Sequence, residues 1–204
     1  MSLYPNRYLS IIRPKGCDSW VTLSRFYELS DDDICKAVRL DSPDFYGCRW
    51  GEKTRFAVLD VDTTSNYHNP AGLLSIIESL KIIGLKTTVY QSSASGGWHL
   101  YLFLNEWVDC SALNQSLKAW LKGQGFEIRQ GQLEIFPSGN GLRLPLQTGF
   151  AFLDQTGAVI ARREELSTDQ AIYRFLTDLE QNASDWEPAR QALEEHLDEV
   201  LDQY

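Results

Sequence analysis

The sequence predicts a mixed α/β (α+β) fold built on a split strand–helix–strand–strand–helix–strand core. Three observations predict it. The apolar run Arg55-Phe-Ala-Val-Leu-Asp-Val-Asp62 reads as a buried strand. Asn69 to Ile83 carries apolar residues at helical spacing, and two apolar or β-branched runs around Ser92-Ser-Ala-Ser-Gly-Gly97 read as a hairpin.

Each element follows in order. The first fifty residues hold short apolar runs, Tyr8 to Ile12 and Trp20 to Leu23, and a helix from Asp31 to Arg39. Ser30 caps that helix, and three aspartates in its first turn suit the helix dipole. After the Arg55–Asp62 strand, the second helix opens near Pro70 and stops at Gly84. Lys86 to Gln91 and Trp98 to Leu104 form the hairpin. Ser111 to Lys122 is helical, with Leu113, Leu117, Trp120 and Leu121 on one face.

Phe126 to Ile128, Leu133 to Phe136 and Leu142 to Leu146 read as short strands. The order is that of ferredoxin-like and RRM-like sheets (split βαββαβ), here with an N-terminal α/β extension. Ser167 to Leu179 and Trp186 to Leu201 read as acidic, peripheral C-terminal helices. The expected organisation is one domain over residues 1–163, made of an N-terminal extension (residues 1–50) and a motif-bearing core (residues 51–155). An acidic helical segment, 164–204, follows it.

Composition narrows the function classes. The chain has 204 residues, 43% hydrophobic and 23% charged, the balance of an ordinary globular protein with one core. No apolar run is long enough to span a bilayer, and the N-terminal stretch MSLYPNRYLSIIRPKG lacks the pattern of a secretory signal. No membrane partner and a cytoplasmic location are therefore expected. The net charge of −9 is unevenly spread. Residues 1–163 hold 17 Lys/Arg against 16 Asp/Glu, and residues 164–204 hold 2 against 12. Overall acidity thus neither supports nor excludes a nucleic-acid substrate. The four cysteines, Cys17, Cys35, Cys48 and Cys110, form no C-x-x-C pair, so no zinc is expected.

A few residues break their local pattern. Asp60 and Asp62, two apart at a strand end, project from one face, as a hard cation such as Mg²⁺ or Mn²⁺ requires. Taken alone, they also fit a polar strand end. His99 follows a turn in which Gly96 and Gly97 let backbone amides approach an anion and Ser93 and Ser95 add hydroxyls. A core histidine after an ordinary turn is the competing reading. Glu134 lies among apolar residues of a presumed strand, a position that needs a partner or an open face. Arg143 is an isolated cation in Gly141-Leu-Arg-Leu-Pro-Leu146, suited to phosphate or to a structural ion pair. Arg49, before the acidic strand, is a further phosphate or template candidate beside its stacking on Trp50.

Together these blocks, Leu59-Asp-Val-Asp62, Ser95-Gly-Gly-Trp-His99 and Leu133-Glu-Ile-Phe-Pro137 with Gly141 to Leu146, resemble the successive motifs of the archaeo-eukaryotic primase superfamily. Order and spacing agree over roughly residues 50 to 155. The wording is similar to the Prim-Pol branch of bacterial plasmids and mobile elements, cyanobacterial members included. The resemblance implies a primase/DNA polymerase that uses two metal ions, Mg²⁺ or Mn²⁺. It implies metal binding and catalysis at Asp60, Asp62 and Glu134, nucleotide binding at Ser95 and His99, and a role for Arg143 near the nucleotide. The implied partners are a single-stranded DNA template, a primer and (d)NTPs, with a helicase or accessory domain. The turn before His99 departs from many relatives in having no Arg or Lys. The alternative is a nucleotide- or single-stranded-DNA-binding module without turnover in a replication or defence assembly.

Overall fold

A computed structural model describes residues 3–4 and 6–201, with side chains described through residue 195. Met1, Ser2 and Pro5 of the N-terminal stretch, and residues 202–204 of the acidic segment, lie outside the described residues. In chain order the elements are β1 (Ile11–Arg13), β2 (Val21–Thr22), α1 (Asp31–Val38), β3 (Phe45–Cys48), β4 (Lys53–Val61) and α2 (Pro70–Ile82). Then come β5 (Thr88–Gln91), β6 (Trp98–Asp109), α3 (Cys110–Gly123), β7 (Leu133–Phe136) and β8 (Leu142–Arg143). The chain ends with β9 (Ala151–Leu153), β10 (Val159–Arg162), α4 (Thr168–Asn182) and α5 (Trp186–Leu201).

Six strands form one antiparallel sheet in the order β10-β9-β5-β6-β4-β7. Its four-stranded section, β5-β6-β4-β7 with crossovers α2 and α3, has the predicted split βαββαβ topology. Alternation along the strands gives the sheet two buried faces. Ala57, Leu59 and Val61 of β4 pack on one side with Leu73, Ile76 and Leu80 of α2, Leu113 and Leu117 of α3, and Trp186 and Leu193 of α5. Phe56 and Val58 turn to an aromatic side with Tyr90, Tyr101, Phe103 and Phe152, closed by Phe175 of α4. Tyr90 also donates from its hydroxyl to Asp178 at 2.9 Å, tying α4 to the sheet. The C-terminal helices are thus outermost, as their acidic faces predict, and each still buries an apolar seam.

Helix ends follow local chemistry. Ser30 and Asp33 form a reciprocal capping box on α1, and Asn69 caps α2 ahead of Pro70. Gly125 explains why the expected strand Phe126–Ile128 does not form. With φ +85° it closes α3, so that Phe126 N–H donates back to Leu121 O at 2.9 Å. Phe126 therefore packs the helix end, and Ile128 keeps only an isolated bridge to Leu133. The expected strand Leu142–Leu146 shortens to β8, because Pro145 has no N–H to donate and Leu146 turns to φ +62°. β8 belongs to a second sheet, β2-β1-β3-β8, made otherwise of the N-terminal fifty residues. Among the described residues no helix is long and apolar enough to cross a membrane.

Candidate active site

The register of the large sheet assembles the acids. Asp60 on β4 lies opposite His99 on β6 and opposite Glu134 on β7. Directly opposed residues of an antiparallel ladder project to the same face, so all three emerge together on the aromatic side. Asp62, two residues on from Asp60, follows just beyond the end of β4.

Electrostatics record the crowding. Burial, then the charges of Asp62 and Glu134, push the Asp60 carboxyl up to about 7. Burial, then Asp62, raises Glu134, against a backbone hydrogen bond from Gly131 that lowers it. His99 is 6% exposed, and burial followed by the Arg143 charge drives it down to about 3. At neutral pH it is an uncharged imidazole. Its Nε2 stands 3.6 Å from Asp60 Oδ1, too long for a hydrogen bond, so the two meet as a contact rather than an ion pair.

A cleft of about 230 Å³ opens over these groups, lined by Asp60, Asp62 and His99 on its floor. One wall is the turn between β5 and β6, with Ser92, Ser93, Ser95 and Gly97. Two backbone hydrogen bonds shape this turn, Ser92 N–H to Gly97 O at 2.8 Å and Gly96 N–H to Ser93 O at 3.0 Å. Gly96, at φ +92°, supplies the left-handed bend and spends its own amide inside the turn. Gly149 supports the turn from below, where an added Cβ would stand 2.3 Å from Ala94 N. His68 supports it from the side, its Nε2 2.9 Å from Gly96 O and its ring stacked 4.0 Å from Trp98.

The opposite wall comes from the small sheet, with Ile11, Arg13, Trp20, Leu142 and Arg143. Arg143 is buried, donates from Nη2 to Thr148 O, and leaves its Nε without a partner. Burial, then the neighbouring Arg13, lowers it to about 10.

Of the residues singled out by sequence, Asp60, Asp62, Ser93, Ser95, Gly97, His99 and Arg143 meet at this cleft. Glu134 stands on the same face but borders the neighbouring depression, with Lys118, Arg129 and Asn140. Arg49 does not line the cleft. Its guanidinium donates to Leu9 O, Gly139 O and Thr22 Oγ1, so it ties β2 to two loops, and it does not stack on Trp50. Sequence reasoning missed Arg13, Trp20, Ser92 and the two supports Gly149 and His68. Arg13 ends an apolar run, the same signal that drew attention to Arg143.

No protein-family model and no curated protein matches this sequence. Among solved structures, the chain is similar to the polymerase domain from Mycobacterium tuberculosis Ligase D in complex with DNA. That likeness covers 88% of this chain and 75% of the other, at 13% identity and a TM-score of 0.37. At this level it carries nothing about chemistry, which rests on the side chains.

Those side chains offer oxygen donors suited to a hard divalent cation. Among the described residues, no three His, Cys, Asp or Glu side chains are drawn together as a closed ligand cage. Mg²⁺ sites commonly need only one or two carboxylates, with water and substrate phosphates supplying the rest. Burial first, and then the charges of Asp62 and Glu134, hold the Asp60 carboxyl high, and a nearby cation would relieve that cost. The residues fit such an ion.

Proposed function

We propose that the chain is a template-directed nucleotidyltransferase, a DNA primase-polymerase that adds (d)NTPs to a primer on single-stranded DNA with Mg²⁺ or Mn²⁺. One observation carries the reading. Asp60 and Asp62 line one cleft with a serine turn and two guanidiniums, and Glu134 projects from the same sheet face beside Asp60, at the neighbouring depression. Acids on one side suit cations, and cations with hydroxyls on the other suit a triphosphate.

In this reading Asp60 and Asp62 hold the metal-bound triphosphate, and Glu134 stands toward the primer terminus. Bound there, divalent ions would ease deprotonation of the primer hydroxyl and neutralise charge on the leaving group. The primer 3′-hydroxyl gives its proton to solvent, its oxygen bonds to the α-phosphorus as the bond from that phosphorus to the bridging oxygen of the β-phosphate breaks, and pyrophosphate leaves. The neutral His99 ring donates one N–H toward the phosphates, while Ser93 and Ser95 add hydroxyls. Arg143 presents its unpaired Nε to the same anion. Most of the catalytic work is positioning and charge compensation. A helicase or accessory domain is the partner this reading implies, beside template and primer.

The test is a gel assay of nucleotide incorporation on primed and unprimed single-stranded templates with Mg²⁺ or Mn²⁺. Wild type would give metal-dependent products that Asp60→Ala/Asp62→Ala loses, and unprimed products would add priming activity. A second reading, a nucleotide- or single-stranded-DNA-binding module without turnover, draws on the open arrangement of the acids. A folded wild type that binds nucleotide and incorporates none would favour it.

A further inference from the structure

Arg13, at the end of β1, is a cation on the wall of the cleft. The register of the small sheet puts Arg13 opposite Phe45, and Gly47, two residues on from Phe45, opposite Arg143. Both guanidiniums therefore come to one face of that sheet, and both line the cleft above Asp60. They share a ring: the Arg13 guanidinium carbon lies 4.6 Å from the Phe45 centroid, and that of Arg143 lies 4.1 Å from it. Trp20 adds a further layer, 5.6 Å from Arg13. The result is a stack of Trp20, Arg13, Phe45 and Arg143 along one wall of the cleft.

Structural arginines in this protein look different. Arg163 is buried and spends its donors on Leu146 O, Val38 O, Leu166 O and Thr168 Oγ1. Arg49 spends its donors on two carbonyls and a threonine. Among the described residues, Arg13 makes no side-chain hydrogen bond and pairs with no acid, and the buried Arg143 keeps an orphaned Nε. Two like charges held on one ring repel each other, and a ring contact consumes none of the conventional N–H···O hydrogen bonds a guanidinium can make. Arg13 and the Nε of Arg143 therefore keep donors for an anion.

We infer that Arg13 is a second substrate-binding guanidinium, which together with Arg143 grips the phosphates of the nucleotide in the cleft. This rests on the nucleotide reading of that cleft, and it brings the N-terminal strand β1, outside the motif-bearing sheet, into the site. Phe45 and Trp20 are the rings that Arg13 packs against, at 4.6 and 5.6 Å.

The test is isothermal titration calorimetry of the full chain with a deoxynucleoside triphosphate, with inorganic tripolyphosphate, and with a single-stranded oligonucleotide, all in Mn²⁺. Arg13→Met should weaken the triphosphate and tripolyphosphate alike by about tenfold or more, the size of one charge-assisted contact. Arg13→Lys, which keeps the charge but loses the planar fork, should fall between the two. Thermal melts check folding, and Arg13→Gln carries the same expectation should Arg13→Met fail to fold. Unchanged affinity for both phosphates in a folded Arg13 variant would overturn the inference while leaving the nucleotide reading intact. A loss confined to the oligonucleotide would also overturn it, because Arg13 would then serve the template. A wild type that binds neither phosphate ligand would overturn the nucleotide reading itself.

Discussion

Asp60 and His99 face each other across the β4–β6 ladder, Oδ1 to Nε2 at 3.6 Å, and neither titrates where it would in water. Burial raises the carboxyl to about 7 and lowers the imidazole to about 3. A pair that would attract as ions meets instead as an acid whose charging is resisted and a neutral ring. Opposed shifts of this kind at a cleft cluster at functional sites.

Asp60 makes the metal-free protein alkali-sensitive. Its folded pKa lies above its unfolded value, so its contribution is fully present below pH 4 and is lost as pH rises through about 7. Asp60→Asn should therefore raise the unfolding temperature relative to wild type at pH 8 and lose that advantage at pH 4. A quarter of the Asp60 side chain is exposed, so solvent screening keeps the gain to a few degrees. Thermal melts in chelator at the two pH values measure the difference.

His99 acts in the opposite sense. Its folded pKa is depressed, so its contribution is present above about pH 6.5 and lost as pH falls toward about 3. Wild type should lose stability between pH 6 and 4, and His99→Gln should lessen that loss. The same variant should raise KM for the nucleotide. Urea midpoints across that range and steady-state kinetics at pH 8 separate the two effects.

Gly149 determines the height of the serine turn. Alanine there would need a left-handed backbone at φ +83° and would drive its Cβ into Ala94 N. Gly149→Ala should cost more than about 1 kcal/mol in chemical denaturation and weaken nucleotide binding by displacing Ser93 and Ser95. Unaltered affinity would mean that the turn does not touch the ligand.

The acidic C-terminal segment is a structural layer. Phe175 of α4 is 4% exposed and packs on Tyr90, Tyr101 and Phe103. Phe175→Ala should cost about 3–5 kcal/mol, read from equilibrium unfolding. Removing the segment from residue 164 onward should accordingly abolish folding rather than release activity.

Asp60, Asp62, Glu134, His99 and Arg143 were legible because each is a polar residue that breaks an apolar or turn pattern, an anomaly visible within a few neighbours. The split topology was legible for the same local reason, as strand and helix periods alternate from Arg55 to Lys122 and resume at Leu133. Arg13 was not. Its meaning depends on Phe45 and Arg143, which reach it only through pairing between the N-terminal strands and β8, and no local period reports long-range pairing. Arg49 stands away from the cleft for the converse reason. An isolated cation looks available for phosphate until distant carbonyls, here Leu9 and Gly139, are seen to take its donors. Phe126 looked like the start of a strand because a residue closing a helix end is apolar too.

Glu134 is where the three-carboxylate site is most exposed to disproof, since it borders a different depression from Asp60 and Asp62. The deciding measurement is primer extension by wild type and Glu134→Gln over a Mn²⁺ titration, with nucleotide affinity followed in parallel. Extension should depend on the metal in wild type and fall at least about a hundredfold in the variant, while nucleotide binding survives. Extension by Glu134→Gln at the wild-type rate, or none by wild type at any metal concentration, would contradict catalysis by these three acids.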